Sequence, residues 1–149
     1  MTLEQQITTD MKTAMKAKDK VSLRGIRAIK SAILLQKTDG SGKELDKDGE
    51  IALLQKLVKS RRDSLDIYTK QNREDLAATE REEIEVISRY LPEALSEEEL
   101  GKLVDDVIAK TGASGMKDMG KVMGMANKAA AGRAEGKAIA AMVKTKLAS

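Results

Sequence analysis

One segment in the C-terminal half has the letters of a nucleotide-binding loop. Residues 115–121 read GMKDMGK and match the first seven positions of a P-loop, whose backbone amides would hold phosphates. The eighth position requires Ser or Thr to bind magnesium, yet Val122 occupies it, and no apolar strand precedes Gly115. The match is therefore typical of a chance similarity, and we expect no nucleotide hydrolysis.

The glycines of the same segment allow two other interpretations. Gly120 and Gly124 lie one helical turn apart, which would let another helix approach closely. A loop that ends in a helix N-terminus also presents free amides and a positive dipole, and Lys117 and Lys121 lie in its first turns. This arrangement suits a phosphate group. The two interpretations are compatible, because the helix backbone and the lysine tips face different ways.

A calcium loop is the second chemical candidate. Asp39 and Glu50 are spaced as positions 1 and 12 of such a loop. Position 6 demands Gly for a sharp turn, but Glu44 stands there, and Lys43 would lie among the ligands. Residues 38–49 are therefore predicted to form an ordinary surface loop without a metal.

The composition removes whole classes of catalytic site. The chain has 149 residues and contains no His, Cys, Trp or Phe. Without His or Cys there is no serine or cysteine triad, no histidine proton shuttle and no ordinary zinc site. Carboxylate pairs such as Glu80 with Glu83 lie beside arginines at helical spacing, so surface ion pairing explains them more simply than acid–base catalysis. We predict no catalytic residue, no cofactor and no metal.

The elements that would position these residues are helices. Apolar residues recur at helical spacing and almost no stretch alternates as a strand would. Four stripes are predicted before the single proline, the first formed by Leu3, Ile7, Met11 and Met15, the second by Leu23, Ile26, Ile29 and Ile33, and the third by Ile51, Leu54, Val58, Leu65 and Tyr68. The fourth helix is predicted to begin at a cap on Asn72 and to end near Tyr90, because Pro92 disfavours helical geometry in Leu91.

Three shorter helices are predicted after Pro92. Ser96 and Glu99 have the spacing of a capping box, and Gly112 is placed to end the helix that follows. Two more helices are expected at residues 117–130 and 137–147. The expected fold is all-α, with a four-helix N-terminal part over residues 1–93 and a small three-helix C-terminal domain over residues 94–149.

Charge is unevenly distributed along the chain. Residues 1–95 carry a net charge of +1, residues 96–109 carry −4 and residues 110–149 carry +6. A solvated surface is the usual fate of such lysines, but this density favours a polyanionic partner. With only Tyr68 and Tyr90 as aromatics, any RNA contact should be electrostatic and based on shape, because base stacking needs rings.

Methionines are concentrated in the same C-terminal region and provide a further clue. They are Met116, Met119, Met123, Met125 and Met142. We favour core filling for them, since a chain without Phe or Trp needs other bulky residues, and a groove for a partner helix is the alternative.

No apolar run approaches the roughly 20 residues of a membrane helix, so the sequence gives a cytoplasmic location without membrane contact as the default.

Several linked motifs resemble the YqeY family. They are RRDSL from Arg61, YLPEALSEEEL from Tyr90, DMGKVMG from Asp118 and GRAEGK from Gly132, in this order and over essentially the whole chain. The last two are also similar to the tail of the GatB subunit of tRNA-dependent amidotransferase. The resemblance implies an all-helical protein with a larger N-terminal bundle and a small three-helix C-terminal domain.

The resemblance also implies a partner. The similar amidotransferase tail contacts tRNA, and YqeY-like domains occur appended to a glutaminyl-tRNA synthetase. The implied RNA-contacting residues are Lys117, Lys121, Arg133 and Lys137, and we add Lys128 and Lys144 from the same basic segment. One departure is Asn127-Lys128, where a Pro-Lys pair is expected.

Three functional hypotheses follow from the sequence and the resemblance. The first is a non-catalytic tRNA-binding accessory protein of the aminoacyl-tRNA and amidotransferase system. The second is a protein-interaction module for an aminoacyl-tRNA synthetase or an amidotransferase. The third, a carbon–nitrogen ligase with glutamine as amido-N-donor, would rest on family naming, because the large catalytic module of the amidotransferase has no counterpart in 149 residues.

Overall fold

The computed structural model describes residues 1–39 and 44–148. These residues form seven α-helices and one 3₁₀ turn, and they contain no strand, so the all-α prediction is confirmed. The helices are α1 (Leu3–Ala17), α2 (Lys20–Lys37), α3 (Lys47–Lys70), α4 (Glu74–Ser88), α5 (Glu97–Thr111), α6 (Met119–Ala130) and α7 (Gly136–Ala148), with the 3₁₀ turn at Met116–Asp118 before α6. Within the described ranges, no helix has the length and apolarity needed to cross a bilayer.

The chain divides into two compact units, Met1–Leu91 and Pro92–Ser149, which we call the first and the second unit. Helices α1 to α4 belong to the first unit, and α5, the 3₁₀ turn, α6 and α7 belong to the second. Each unit has its own apolar core. The fully buried side chains of the first core include Ile7, Ile29, Leu54, Val86 and Ile87, and those of the second include Val104, Val122, Ile139 and Val143.

The buried stripe of α1 differs in one place from the prediction. Leu3 and Ile7 are buried as expected, but Met15 is 55% exposed and Ala14 is buried instead. Helix α1 ends two residues beyond Met15, where Lys18 adopts a left-handed conformation with φ of 57°. The small side chain of Ala14 therefore completes the stripe at the end of this helix.

The predicted cap on Asn72 is wrong. Helix α4 has Arg73 at its N-cap, and the Arg73 side chain makes no capping hydrogen bond. Asn72 instead adopts a left-handed conformation with φ of 56°, and its amide donates to the carbonyl of Thr69 at 3.2 Å. Asparagine tolerates this conformation better than most residues, so it serves the tight turn between α3 and α4.

The local signals after Pro92 are confirmed. The Ser96 hydroxyl accepts the Glu99 amide at 3.1 Å, and the Glu99 carboxylate accepts the Ser96 amide at 3.0 Å. Gly112 ends α5 in a left-handed conformation with φ of 67°, and its amide donates to the carbonyl of Ile108 at 3.0 Å. Helices α6 and α7 begin within two residues of their predicted starts.

Removal of this capping box should weaken the second unit. We expect Ser96→Ala to lower its free energy of unfolding by about 1 kcal/mol, because an orphan amide loses its acceptor. The backbone amide of Ser96 and then its hydroxyl hold the pKa of the Glu99 carboxyl below its usual value, and Ser96→Ala removes only the contribution of the hydroxyl. The associated stabilisation is therefore present at neutral pH and is lost as the pH falls through that lowered pKa. Urea unfolding between pH 3 and pH 7 measures both effects.

Thr145→Ala is the matched control for the capping prediction. Thr145 is an exposed helical residue of the same unit whose hydroxyl donates to the carbonyl of Ala141 at 2.9 Å. Alanine has the higher helix propensity, so this variant should be as stable as the parent or slightly more stable. Equal stability of Ser96→Ala and Thr145→Ala would contradict the capping account.

Candidate nucleic-acid interface

The segment with P-loop letters does not form a P-loop. Gly115 is extended, residues Met116–Asp118 form a 3₁₀ turn, and α6 begins at Met119. The carboxylate of Asp118 stands at the N-terminus of α6 and accepts the amide of Ser114 at 3.1 Å. Asp118 thus places a negative charge beside the start of α6, but its side chain does not cap that helix. The phosphate contact predicted at this helix N-terminus stays a prediction.

The close helix packing predicted at Gly120 and Gly124 is not found within the described ranges. A Cβ atom added at either glycine would meet no heavy atom within 4 Å. The buried residues of α6 are Val122, Ala126 and Ala130, and both glycines are exposed to solvent. They leave helix backbone uncovered near Lys121, which is exposed as well.

Two rows of lysines lie on α6 and α7. Lys121 and Lys128 are seven residues apart on α6, and Lys137 and Lys144 are seven apart on α7. Seven residues are close to two full turns, so each pair shares one side of its helix at a spacing of about 10.5 Å along the axis. All four are exposed, and the two helices pack against each other around Val122 and Val143.

The lysines of these rows form no ion pair with any residue that the structure describes. Among the described residues, no carboxylate lies within 4 Å of the ammonium groups of Lys121, Lys128, Lys137 or Lys144, and the same is true of exposed Lys117 in the 3₁₀ turn. We call these five residues the lysine face. Their charges remain available to an external anion.

Two other basic residues of the second unit have structural partners. The Arg133 Nε donates to the carbonyl of Glu93 at 2.9 Å, and the Arg133 carbonyl accepts the amide of Leu95 at 2.7 Å. Lys146 pairs with Asp105 of α5 at 3.1 Å. Arg133, which the resemblance implies to be an RNA-contacting residue, therefore bonds to the segment that leads into α5.

The acidic residues of the second unit are concentrated on α5. This helix carries Glu97, Glu98 and Glu99 in its first turn and Asp105 and Asp106 further along, against Lys102 and Lys110. Helix α5 thus has a net charge of −3, opposite in sign to α6 and α7, and Lys146 of α7 pairs with its Asp105. The second unit therefore carries charges of opposite sign on different helices.

The methionines divide between the two roles considered for them. Met119, Met123 and Met142 pack against the second core, as the core-filling prediction requires. Met116 and Met125 are 45% and 40% exposed. Two flexible apolar side chains therefore lie at the surface near the lysine face.

Acidic residues that lie close together in the sequence of the first unit form ion pairs with basic residues. Asp63 pairs with Lys59 at 3.1 Å on the surface of α3. Glu83 lies between two guanidinium groups, with its oxygens 3.9 Å from the Nε atoms of Arg24 and Arg61, and its side chain is only 14% exposed. Both Nε atoms are buried without a hydrogen-bond partner in the described part of the chain. Burial and the charge of Glu83 together raise the pKa of the neighbouring Glu80.

Glu80 and Glu83 should therefore respond oppositely to neutralisation. Glu83→Gln removes the charge between two half-buried arginines, and we expect it to destabilise the first unit by about 1–2 kcal/mol.

Glu80→Gln should leave stability at pH 7 unchanged or slightly higher, because the folded state disfavours the ionised form of Glu80. A raised folded pKa means that this cost disappears as Glu80 protonates at lower pH. Thermal unfolding at pH 5 and pH 7 measures the stability of both variants. If Glu80→Gln alone lost stability, Glu80 rather than Glu83 would be the carboxylate whose charge stabilises the first unit.

The calcium-loop alternative falls partly on residues 40–43, which lie outside the described residues. Glu50, its proposed last ligand, accepts the amide of Leu3 at 2.7 Å and thereby caps α1. No group of three or more acidic residues suitable for a metal occurs in the ranges that are described.

The chain is similar to a known protein family over almost its whole length. The family model described as "Yqey-like protein" matches residues 4–147. A protein of Lachancea thermotolerans, named "Altered inheritance of mitochondria protein 41, mitochondrial", is 37% identical over 103 residues, which are 68% of this chain and 55% of that protein. Proteins with the same name from Vanderwaltozyma polyspora and Saccharomyces cerevisiae are 35% and 32% identical, over 74% and 69% of this chain and 63% and 59% of theirs. The chain thus spans little more than half the length of these curated relatives.

The cytoplasmic location expected from the sequence is wrong by this comparison. These relatives are named as mitochondrial proteins. The expectation depended on the scarcity of long apolar runs, and that property does not distinguish one aqueous compartment from another.

Proposed function

The chain belongs to the YqeY-like family, and from this premise we propose that it is a non-catalytic RNA-binding accessory protein of tRNA aminoacylation or amidation. The second unit is the RNA-contacting part in this proposal. The lysine face would contact the phosphate backbone, and no step of the function requires a reacting side chain.

The observation that carries the proposal is the lysine face itself. Lack of an ion pair does not by itself distinguish these lysines, because among the described residues only Lys37, Lys59, Lys102 and Lys146 lie within 4 Å of a carboxylate. The lysine face differs in its density of charge: it lies on elements opposite in charge to α5, within residues 110–149, which carry a net charge of +6. Phosphate neutralisation by such lysines releases counterions, which is the main source of affinity in sequence-independent nucleic-acid binding.

The composition of the second unit favours double-helical stems over single strands. Both tyrosines lie before Pro92, so this unit has no aromatic ring on which a base could stack. Proteins that bind RNA duplexes recognise shape and backbone, whereas readers of single strands depend on stacking. The uncovered backbone at Gly120 and Gly124 would also allow a sugar–phosphate strand to come close to α6.

Fluorescence anisotropy with labelled bulk tRNA tests this proposal. We expect the full-length protein to bind tRNA at low salt, to bind a blunt RNA duplex comparably and to bind a single strand of equal length more weakly. Binding should weaken steeply toward physiological salt. No binding at low salt would refute the proposal, and a preference for the single strand would refute the stem-binding part of it.

The exposed methionines support a second candidate function, a protein-interaction module. Met116 and Met125 would provide an adaptable apolar contact for a partner helix of an aminoacylation enzyme. An apolar contact of this kind should survive high salt, whereas RNA binding should not. Pull-down with a purified synthetase or amidotransferase at low and high salt separates the two functions.

A further inference from the structure

A small cleft lies in the first unit between α1, the start of α2 and the end of α4. Its volume is about 270 Å³, close to the lower end of the roughly 300–1,000 Å³ that small-molecule sites span. Asp10 and Tyr90, which are 80 residues apart in sequence, meet in its wall. This cleft is separate from the lysine face and takes no part in the function proposed above.

One carboxylate oxygen in the cleft is available to a ligand. The Tyr90 hydroxyl donates to Asp10 Oδ2 at 2.6 Å. Burial and the nearby Asp10 charge raise the pKa of Tyr90, so the phenol stays protonated and remains a donor. The other Asp10 oxygen receives no hydrogen bond from any described residue. It therefore has lone pairs for a donor from outside the chain.

The remaining charges of the cleft leave it negative. Asp19 accepts both the amide and the hydroxyl of Ser22, at 3.1 and 2.6 Å, and these bonds lower its pKa. Arg89 also lines the cleft, but its charge is matched by Glu85, which it contacts through two bonds of 3.0 and 2.7 Å. Arg89 also donates to the Ser22 hydroxyl at 3.1 Å and offsets part of the charge of Asp19. Asp10 forms no ion pair with any described residue, so the two carboxylates of the wall exceed its one arginine by one charge. An anion is disfavoured here, and a cation is favoured.

The rest of the wall suits a hydrocarbon chain. Ala14 and Ile26 are buried and Ala17 completes this apolar side. The half-buried ring of Tyr90 adds a face over which a cation is attracted to the aromatic electrons. The combination of a free carboxylate oxygen, an aromatic ring and an apolar side matches a chain with a charged nitrogen at its end.

We propose that this cleft binds a primary alkylammonium group, with the nitrogen on the free oxygen of Asp10 and the methylene chain along Ala14, Ala17 and Ile26. Such a group is present in free aliphatic diamines and in the lysine side chain of a peptide. The same contacts serve both sources, because only the ammonium and its methylene chain enter the cleft.

Amide chemical-shift titration of the full-length protein tests the proposal with n-butylammonium as the probe. The amides of Ala14, Ala17 and Ile26 should shift and saturate, while n-butanol and butyrate at the same ionic strength should not shift them. Asp10→Asn keeps an acceptor for Tyr90 but removes the charge, and it should weaken binding about tenfold. Asp63→Asn, which removes an exposed carboxylate outside the cleft, should leave the affinity unchanged.

Two further probes distinguish the sources of the ammonium group. Tighter binding of putrescine than of Nα-acetyl-lysine N-methylamide supports a free diamine, and the reverse order supports a lysine side chain. Equal shifts with n-butanol and n-butylammonium would overturn the proposal, as would equal affinity of the Asp10→Asn and Asp63→Asn variants. An absence of saturable shifts would overturn it as well.

Discussion

Gly25→Ala is expected to destabilise the first unit by about 2 kcal/mol, even though alanine is the better helix former. Gly25 of α2 lies against Val86 of α4, and both are buried. A Cβ atom at Gly25 would stand 2.5 Å from Val86 Cγ1 and 2.6 Å from Val86 Cβ. Because a Cβ atom cannot rotate away, α2 and α4 must separate, and the close-packed core between them loses contacts. Urea unfolding followed by circular dichroism measures the change.

The same substitution at Gly124 is the matched control. Gly124 lies inside α6, and a Cβ atom there meets open space. Gly124→Ala should therefore stabilise the second unit by up to about 1 kcal/mol through helix propensity alone. Opposite signs for the two variants are the expected result. Stabilisation by Gly25→Ala would contradict the close α2–α4 packing.

Charge reversal on the lysine face should abolish RNA binding. We expect replacement of Lys121, Lys128, Lys137 and Lys144 by Glu to lower the affinity for tRNA about 100-fold or more at low salt. Each reversal removes one phosphate contact and adds a repulsive charge. All four side chains are exposed, so the fold should be retained, which circular dichroism can verify.

A second quadruple variant controls for net charge. Lys12, Lys16, Lys30 and Lys56 are exposed residues of the first unit, and their replacement by Glu changes the net charge by the same amount. This variant should lose only the long-range electrostatic attraction between the protein and tRNA. Because salt screens that attraction, its tRNA affinity should fall less than that of the first variant. Equal losses of affinity in the two variants would contradict a localised interface on the second unit.

Local signals allowed much of the fold to be predicted from the sequence. The helical periodicity, the Ser96 capping box and the stop at Gly112 each depend on residues within a few positions of one another, and the structure confirms them. The Asn72 cap was predicted from the same kind of signal and is wrong, because the turn after α3 needs a left-handed residue at that position. Asparagine favours both helix N-caps and left-handed turns, and Asn72 occupies the turn.

Contacts between distant residues could not be predicted in this way. The partner of Arg133 is a carbonyl 40 residues away, and Glu50 caps a helix that begins 47 residues earlier. The cleft around Asp10 and Tyr90 likewise exists only after α1 and α4 have packed. Composition and spacing identified the basic segment, but only the structure separates Lys117, Lys121, Lys128, Lys137 and Lys144 from the basic residues that have structural partners.

The most direct test of the RNA-binding account is the salt dependence of tRNA affinity. The logarithm of the association constant should fall linearly with the logarithm of salt concentration, with a slope of about −3.5 to −4.5 if four or five lysines each neutralise one phosphate of a double-helical stem. Alanine at Lys121 and at Lys137 should each reduce the magnitude of that slope by about 1. An unchanged slope in both variants, or no binding at low salt, would contradict the account.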